Sequence, residues 1–104
     1  MFGQRIRKLR KEKGLTLRQL ADELGITFTY LSKVENNRLK FGDSPSETLI
    51  HRLANALDTD EDELWLVANR IPPKIKDRVL ERPAEFSALA DLDDESLQKI
   101  VSRL

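Results

Sequence analysis

Apolar residues return every three or four positions through the first 70 residues, in short runs separated by glycine and polar breaks, a period that predicts a series of amphipathic helices. Phe2, Ile6 and Leu9 predict a first helix over about 2–12, with Gly14 closing it. Leu17, Leu20, Ala21 and Leu24 share one face of a second helix over about 17–24. After Gly25 and Ile26, Thr27 caps a third over about 28–35, whose inward face is Leu31 and Val34. A polar excursion follows from Asn36 to Asp43, with Asn37 placed to take a left-handed conformation. Ser44 with Glu47 reads as a capping box and Pro45 as the first residue of a fourth helix, which turns Leu49, Leu53, Ala54 and Leu57 inward. Asp60 and Glu63 read as reciprocal caps of a fifth helix carrying Leu64, Val67 and Ala68, and Pro72-Pro73 as its end.

Beyond the prolines, IKDRVLERP, PAEFSALADL and DDESLQKIVSRL each predict a short helix. The expected architecture is therefore all-α: five helices in residues 1–70 and a helical extension in 71–104. Ile75, Val79, Leu80, Phe86, Leu89, Leu97, Ile100, Val101 and Leu104 are too many apolar residues for short isolated helices in water. Two readings stand: the extension enlarges the core of its own domain, or it packs against a second copy or a protein partner. Trp65 is the largest apolar side chain of the fifth helix, and the pattern does not say whether it faces out or in.

The joint between the second and third helices is too short for a loop. Gly25 takes positive φ without a β-carbon penalty, so two short helices are held at a steep angle, as in a pair whose first member crosses a DNA backbone while the second enters the major groove. Plain packing in a small helical domain would give the same local pattern. Charge separates the two. The chain of 104 residues carries 18 basic and 18 acidic residues, but residues 1–40 hold ten Lys or Arg against four Asp or Glu, and residues 41–104 hold eight against fourteen. A positive first part suits phosphates, and an acidic remainder suits a protein contact. Arg5, Arg7, Lys8, Lys11 and Lys13 lie largely off the apolar stripe of the first helix, which predicts solvated cations.

Other chemistry is scarce. The chain has no cysteine, which excludes disulfides and cysteine-based redox or zinc sites and fits a reducing compartment. No run has the length of a signal peptide's apolar region or of a membrane span, so a soluble cytoplasmic protein without membrane contact is expected. The single histidine, His51, sits beside the apolar stripe of the fourth helix and reads as a surface or intersubunit residue. Gly42 alone makes no phosphate loop, and no nucleotide or metal motif is present. No enzyme, cofactor or metal site is expected.

The stretches FGQRIRKLRKEKGLTLRQLADELGITFTYLSKVENNR and SPSETLIHRLANALDTDEDEL, within residues 2–69, resemble the Cro and phage-repressor type of helix-turn-helix proteins, the lambda-repressor-like or XRE family. The resemblance implies a five-helix, non-enzymatic transcription regulator that binds inverted-repeat operators in double-stranded DNA as a two-fold homodimer. Its third helix would be the recognition helix. Carried over position by position, the base-reading residues are Thr27, Phe28, Thr29 and Lys33: threonine and phenylalanine meet thymine methyls, Thr29 hydrogen-bonds a base edge, and Lys33 reaches guanine. The backbone or minor-groove set is Arg18, Tyr30, Ser32, Asn36, Asn37, Arg38 and Lys40.

Two positions depart from the family. Phe28 stands where many relatives have glutamine, so its ring either meets a base or packs on the protein surface. Leu17 stands where relatives often have a phosphate-binding glutamine, and Arg18 would replace that contact. Arg10 and Glu35 match a charged pair of the family, which would orient the recognition helix. The expected function is a sequence-specific repressor. The alternative is an antitoxin or adaptor whose C-terminal region, loosely similar to the tails of repressors inactivated by a partner metallopeptidase, holds a protein.

Overall fold

The structure, a computed structural model, describes residues 1–39 and 45–104. Lys40, Gly42 and Ser44, named above, lie outside the described residues. The helices are α1 (Phe2–Glu12), α2 (Leu17–Leu24), α3 (Phe28–Glu35), α4 (Glu47–Leu57), α5 (Glu61–Val67), α6 (Pro73–Glu81), α7 (Pro83–Ala90) and α8 (Asp94–Val101). They fall into two compact units, Met1–Ile71 and Pro72–Leu104.

In the first unit the local signals explain the breaks. Gly14 takes φ 71° after α1. Thr16 and Gln19 form a capping box at the start of α2: the Thr16 hydroxyl accepts from Gln19 N at 3.1 Å, and the Gln19 side chain accepts from Thr16 N at 2.8 Å. Gly25 closes α2 in the left-handed region, with φ 69° and ψ 30°. Two residues later Thr27 caps α3, accepting from Tyr30 N at 3.1 Å. Arg52 of α4 donates to the Leu24 carbonyl at 3.1 Å, which satisfies one of the orphan acceptors at the α2 terminus. α1 packs against α3, α4 and α5, and α2 against α3 and α4. The core that joins them includes Ile6, Leu20, Leu24, Leu31, Ile50, Leu53 and Leu64, all essentially inaccessible to water. Burying each such side chain contributes roughly 1.5–3 kcal/mol, enough to impose geometry on helices too short to persist alone.

Several boundaries differ from the expectation. Helix α4 starts at Ser46, whose hydroxyl accepts from Leu49 N at 3.1 Å; Pro45 precedes the helix instead of opening it. The reason is tertiary, because the buried Pro45 gives its carbonyl to the Arg70 guanidinium. Asp60 caps α5 by accepting from Asp62 N at 3.2 Å, but Glu63 makes no return bond and instead pairs with Arg5 of α1 at 2.6 Å. Arg5 is thus half-buried and committed, not a solvated cation. Helix α5 ends at Val67 with Ala68 as its cap, and Asn69 just beyond takes the left-handed region at φ 61°, with Arg70 N donating back to the Trp65 carbonyl at 3.0 Å. The prolines come later, and Pro73 opens α6.

Trp65 faces in, 2 % exposed, with the Arg70 guanidinium 4.6 Å from its ring centroid. Its indole N–H donates to Glu61 at 3.3 Å, while the other Glu61 oxygen meets exposed His51 at 2.5 Å. The His51 hydrogen bond holds the Glu61 carboxyl below its ordinary range, desolvation opposing.

The second unit is built differently. Pro73 and Pro83 open α6 and α7, and Asp93 caps α8 by accepting from Ser96 N at 2.7 Å. None of the three helices has a buried residue. Val79, Phe86, Leu89 and Leu97 line an open apolar depression of about 570 Å³. Among the described residues, no helix is long and apolar enough to cross a membrane.

Candidate nucleic-acid interface

Helix α3 is divided lengthwise. Leu31, Val34 and Glu35 are buried, the opposite side carries Thr29 and Lys33, four residues apart, and Phe28, Ser32 and Asn36 form a row between the two. Thr27, Phe28, Thr29, Tyr30 and Lys33 are exposed. The expected base-reading residues are therefore all exposed, Thr29 and Lys33 on the outward side of α3 and Thr27 and Phe28 at its N-terminal turn. That turn presents the free N–H groups and positive end of the helix to solvent. Methyl groups, a ring, a hydroxyl and an ammonium on this side are the chemical types that meet major-groove base edges.

The backbone candidates lie around this row. Ser32 is half-buried, and its carbonyl accepts from the Asn36 amide at 2.8 Å as Asn36 closes the helix. Asn37 takes φ 54°, and its side-chain oxygen accepts from Gly3 N at 3.3 Å, so part of this side chain serves the α1 terminus. Arg38 is exposed after the helix, its N–H donating to the Lys33 carbonyl at 2.8 Å. Lys40 lies outside the described residues. Arg18 does not stand apart on α2: its guanidinium lies over the Phe28 ring, 4.8 Å from the centroid. Phe28 thus packs against a cation and still keeps 42 % of its surface in solvent.

Arg10 and Glu35 form a bidentate pair between α1 and the end of α3. Nε donates to one carboxylate oxygen at 2.8 Å and Nη2 to the other at 3.0 Å, while Nη1 donates to the Leu15 carbonyl at 2.9 Å. The side chains are 12 % and 3 % exposed, so this is an enclosed pair with most of its donors and acceptors satisfied.

Gly3 was missed. A β-carbon there would stand 2.3 Å from the Val34 carbonyl and 2.5 Å from that of Glu35, so α1 and the end of α3 touch backbone to backbone. A glycine within a helix costs about 1 kcal/mol relative to alanine, and that cost is the signal of close approach that the hydrophobic pattern omits. Arg52 and Arg70 were missed as well, because their partners are backbone carbonyls distant in sequence.

Comparison with known proteins agrees with this geometry. Residues 6–64 match the Helix-turn-helix family. The HTH-type transcriptional regulator SinR of Bacillus licheniformis is 39 % identical over 69 residues, covering 59 % of this chain and 62 % of SinR. The HTH-type transcriptional repressor RghR of Bacillus subtilis (strain 168) is 31 % identical over 107 residues, covering 93 % of this chain and 77 % of RghR. Among solved structures, the biofilm master regulator SinR in complex with DNA is 38 % identical and superimposes with a TM-score of 0.55 over 62 % of this chain and 97 % of that one. The chain belongs to the XRE/Cro-type helix-turn-helix family of transcriptional regulators. It spans less than two thirds of the length of SinR.

Proposed function

We propose that this chain is a sequence-specific, double-stranded DNA-binding repressor, acting in the cytoplasm as a homodimer on an inverted repeat. The observation that carries the reading is the exposed side of α3, where Thr27, Phe28 and Thr29 surround an exposed helix N-terminus soon after the Gly25 turn and Lys33 follows one turn on from Thr29. Those residues read bases; Arg18, Tyr30, Ser32, Asn36, Asn37, Arg38 and Lys40 hold the backbone or the minor groove. Arg10–Glu35 fixes the end of the recognition helix against α1. A solved relative in complex with DNA, 38 % identical across this part of the chain, supports DNA binding by this domain. The domain boundary lies near residue 71, and the extension after it is the dimerisation or partner-binding region.

A second reading rests on the extension, whose apolar depression at Val79, Phe86, Leu89 and Leu97 suits a protein partner. An antitoxin or adaptor that also binds DNA would combine the two. Selection of bound duplexes from a random pool tests the main reading. A dimer predicts an enriched repeat with half-sites roughly 34 Å apart, about one turn of DNA, and affinity that falls steeply with salt. No enriched sequence, with weak salt dependence, would leave the partner-binding reading standing.

A further inference from the structure

The Arg18–Phe28 stack joins two residues from different helices at the N-terminal end of the recognition helix. Stacking occupies the π face of a guanidinium and none of its five N–H donors. Arg18 is exposed and, among the described residues, makes no hydrogen bond or ion pair. Phe28, the first residue of α3, holds it in place while still showing 42 % of its own surface to solvent. A flexible phosphate-binding arginine needs no such platform. A fixed planar donor beside an apolar ring edge is suited to a different target, one with two acceptors in a plane next to a methyl group.

In the major groove a pyrimidine–guanine step offers that combination. Guanine shows O6 and N7, which a guanidinium engages bidentately, and a preceding pyrimidine with a C5 methyl puts an apolar group alongside. We infer that Arg18 and Phe28 form a composite reader of a C5-methylated pyrimidine followed by guanine in each half-site. This moves Arg18 from the backbone contacts to the base-reading set and rests on the DNA-binding reading above. The methyl has two sources, thymine and 5-methylcytosine, and the groove chemistry is the same for both.

The test uses the full chain and the operator recovered from a random pool. Replacing each thymine singly with deoxyuridine removes only the methyl. At one thymine 5′ of a guanine in each half-site, wild-type affinity is expected to fall about fourfold, the worth of one buried methyl; Phe28→Ala, bound to the same duplexes, is expected to show no loss there. Placing cytosine at that position and then methylating it should restore about fourfold for the wild type alone, so that each methyl source is read by its own arm. Substituting 7-deazaguanine for the neighbouring guanine should weaken wild type and leave Arg18→Met, which has no donor for N7, nearly unaffected. An operator whose deoxyuridine scan is flat in the wild type, or whose sensitive position stays equally sensitive in Phe28→Ala, would overturn the composite reader and reduce the stack to a packing contact. A pool that enriches nothing would overturn it together with the DNA-binding reading.

Discussion

Removing Arg10 should cost far more than a surface ion pair is worth. With side chains 12 % and 3 % exposed, Arg10→Met would strand the Glu35 carboxylate in an enclosed site and take away the donor to the Leu15 carbonyl at 2.9 Å. Breaking a buried pair from one side costs about 3–5 kcal/mol, and the lost bond to a carbonyl adds about 1 kcal/mol. For a domain of this size each kcal/mol lowers Tm by roughly 4–8 °C, so the drop should reach about 16 °C or more. The double variant Arg10→Met, Glu35→Leu removes both charges and should regain most of the loss, giving a coupling of at least about 2 kcal/mol in a double-mutant cycle. Thermal and urea denaturation followed by circular dichroism measure all four corners of the cycle. The same proteins separate stability from orientation: the double variant, though refolded, should discriminate less well between operator and altered duplexes, because the bidentate clamp between α3 and α1 is gone and only the Asn37 bond to Gly3 N remains at that end. A loss below about 1 kcal/mol for Arg10→Met, additive with that of Glu35→Leu, would refute the enclosed-pair reasoning and make the contact an ordinary surface bridge.

Gly3→Ala places a methyl 2.3 Å from a backbone carbonyl that cannot rotate away. It should therefore destabilise the first unit by about 1–3 kcal/mol despite the better helix propensity of alanine, a balance that urea titration would read directly. Lys33→Ala should reduce discrimination between matched and mismatched duplexes, whereas Arg38→Ala should weaken both about equally; equal proportional losses for Lys33→Ala would remove its base-reading role. A chain ending at residue 71 retains the whole buried core of α1–α5. It should stay helical and cooperative but lose dimerisation and operator affinity, and sedimentation showing an undiminished dimer at micromolar concentration would place the interface elsewhere.

The one-dimensional pattern carries information about contacts between near neighbours. The stripe of Leu17, Leu20, Ala21 and Leu24, the left-handed glycines Gly14 and Gly25, and the Thr27 cap are each decided within about one helical turn. Helices α1, α2 and α3 accordingly have the extents that periodicity predicts. Where two local solutions are close in energy, a distant partner chooses. Ser44 and Ser46 have the same capping chemistry, and the Arg70 contact at Pro45 favours the later start. Glu63 had a cap to complete and a cation to meet, and Arg5 on another helix won.

The site divides in the same way. That α3 turns Thr29 and Lys33 away from Leu31 and Val34 follows from a period of 3.6 residues, whereas Thr27 and Phe28, four and three residues before Leu31, are exposed at the start of the helix and were named from family resemblance. The Arg10–Glu35 match was visible as family resemblance, but its enclosure, and hence its energetic weight, depends on how α1 closes over the end of α3. Gly3 against Val34 and Arg18 over Phe28 join residues on different helices, and hydrophobic periodicity has no term for a backbone–backbone contact or a cation on a ring. Residue order thus determined which helices form and which face each buries, since those preferences are local. Packing five short helices around one core determined which charges are shut in, which rings are covered and how the recognition helix is held.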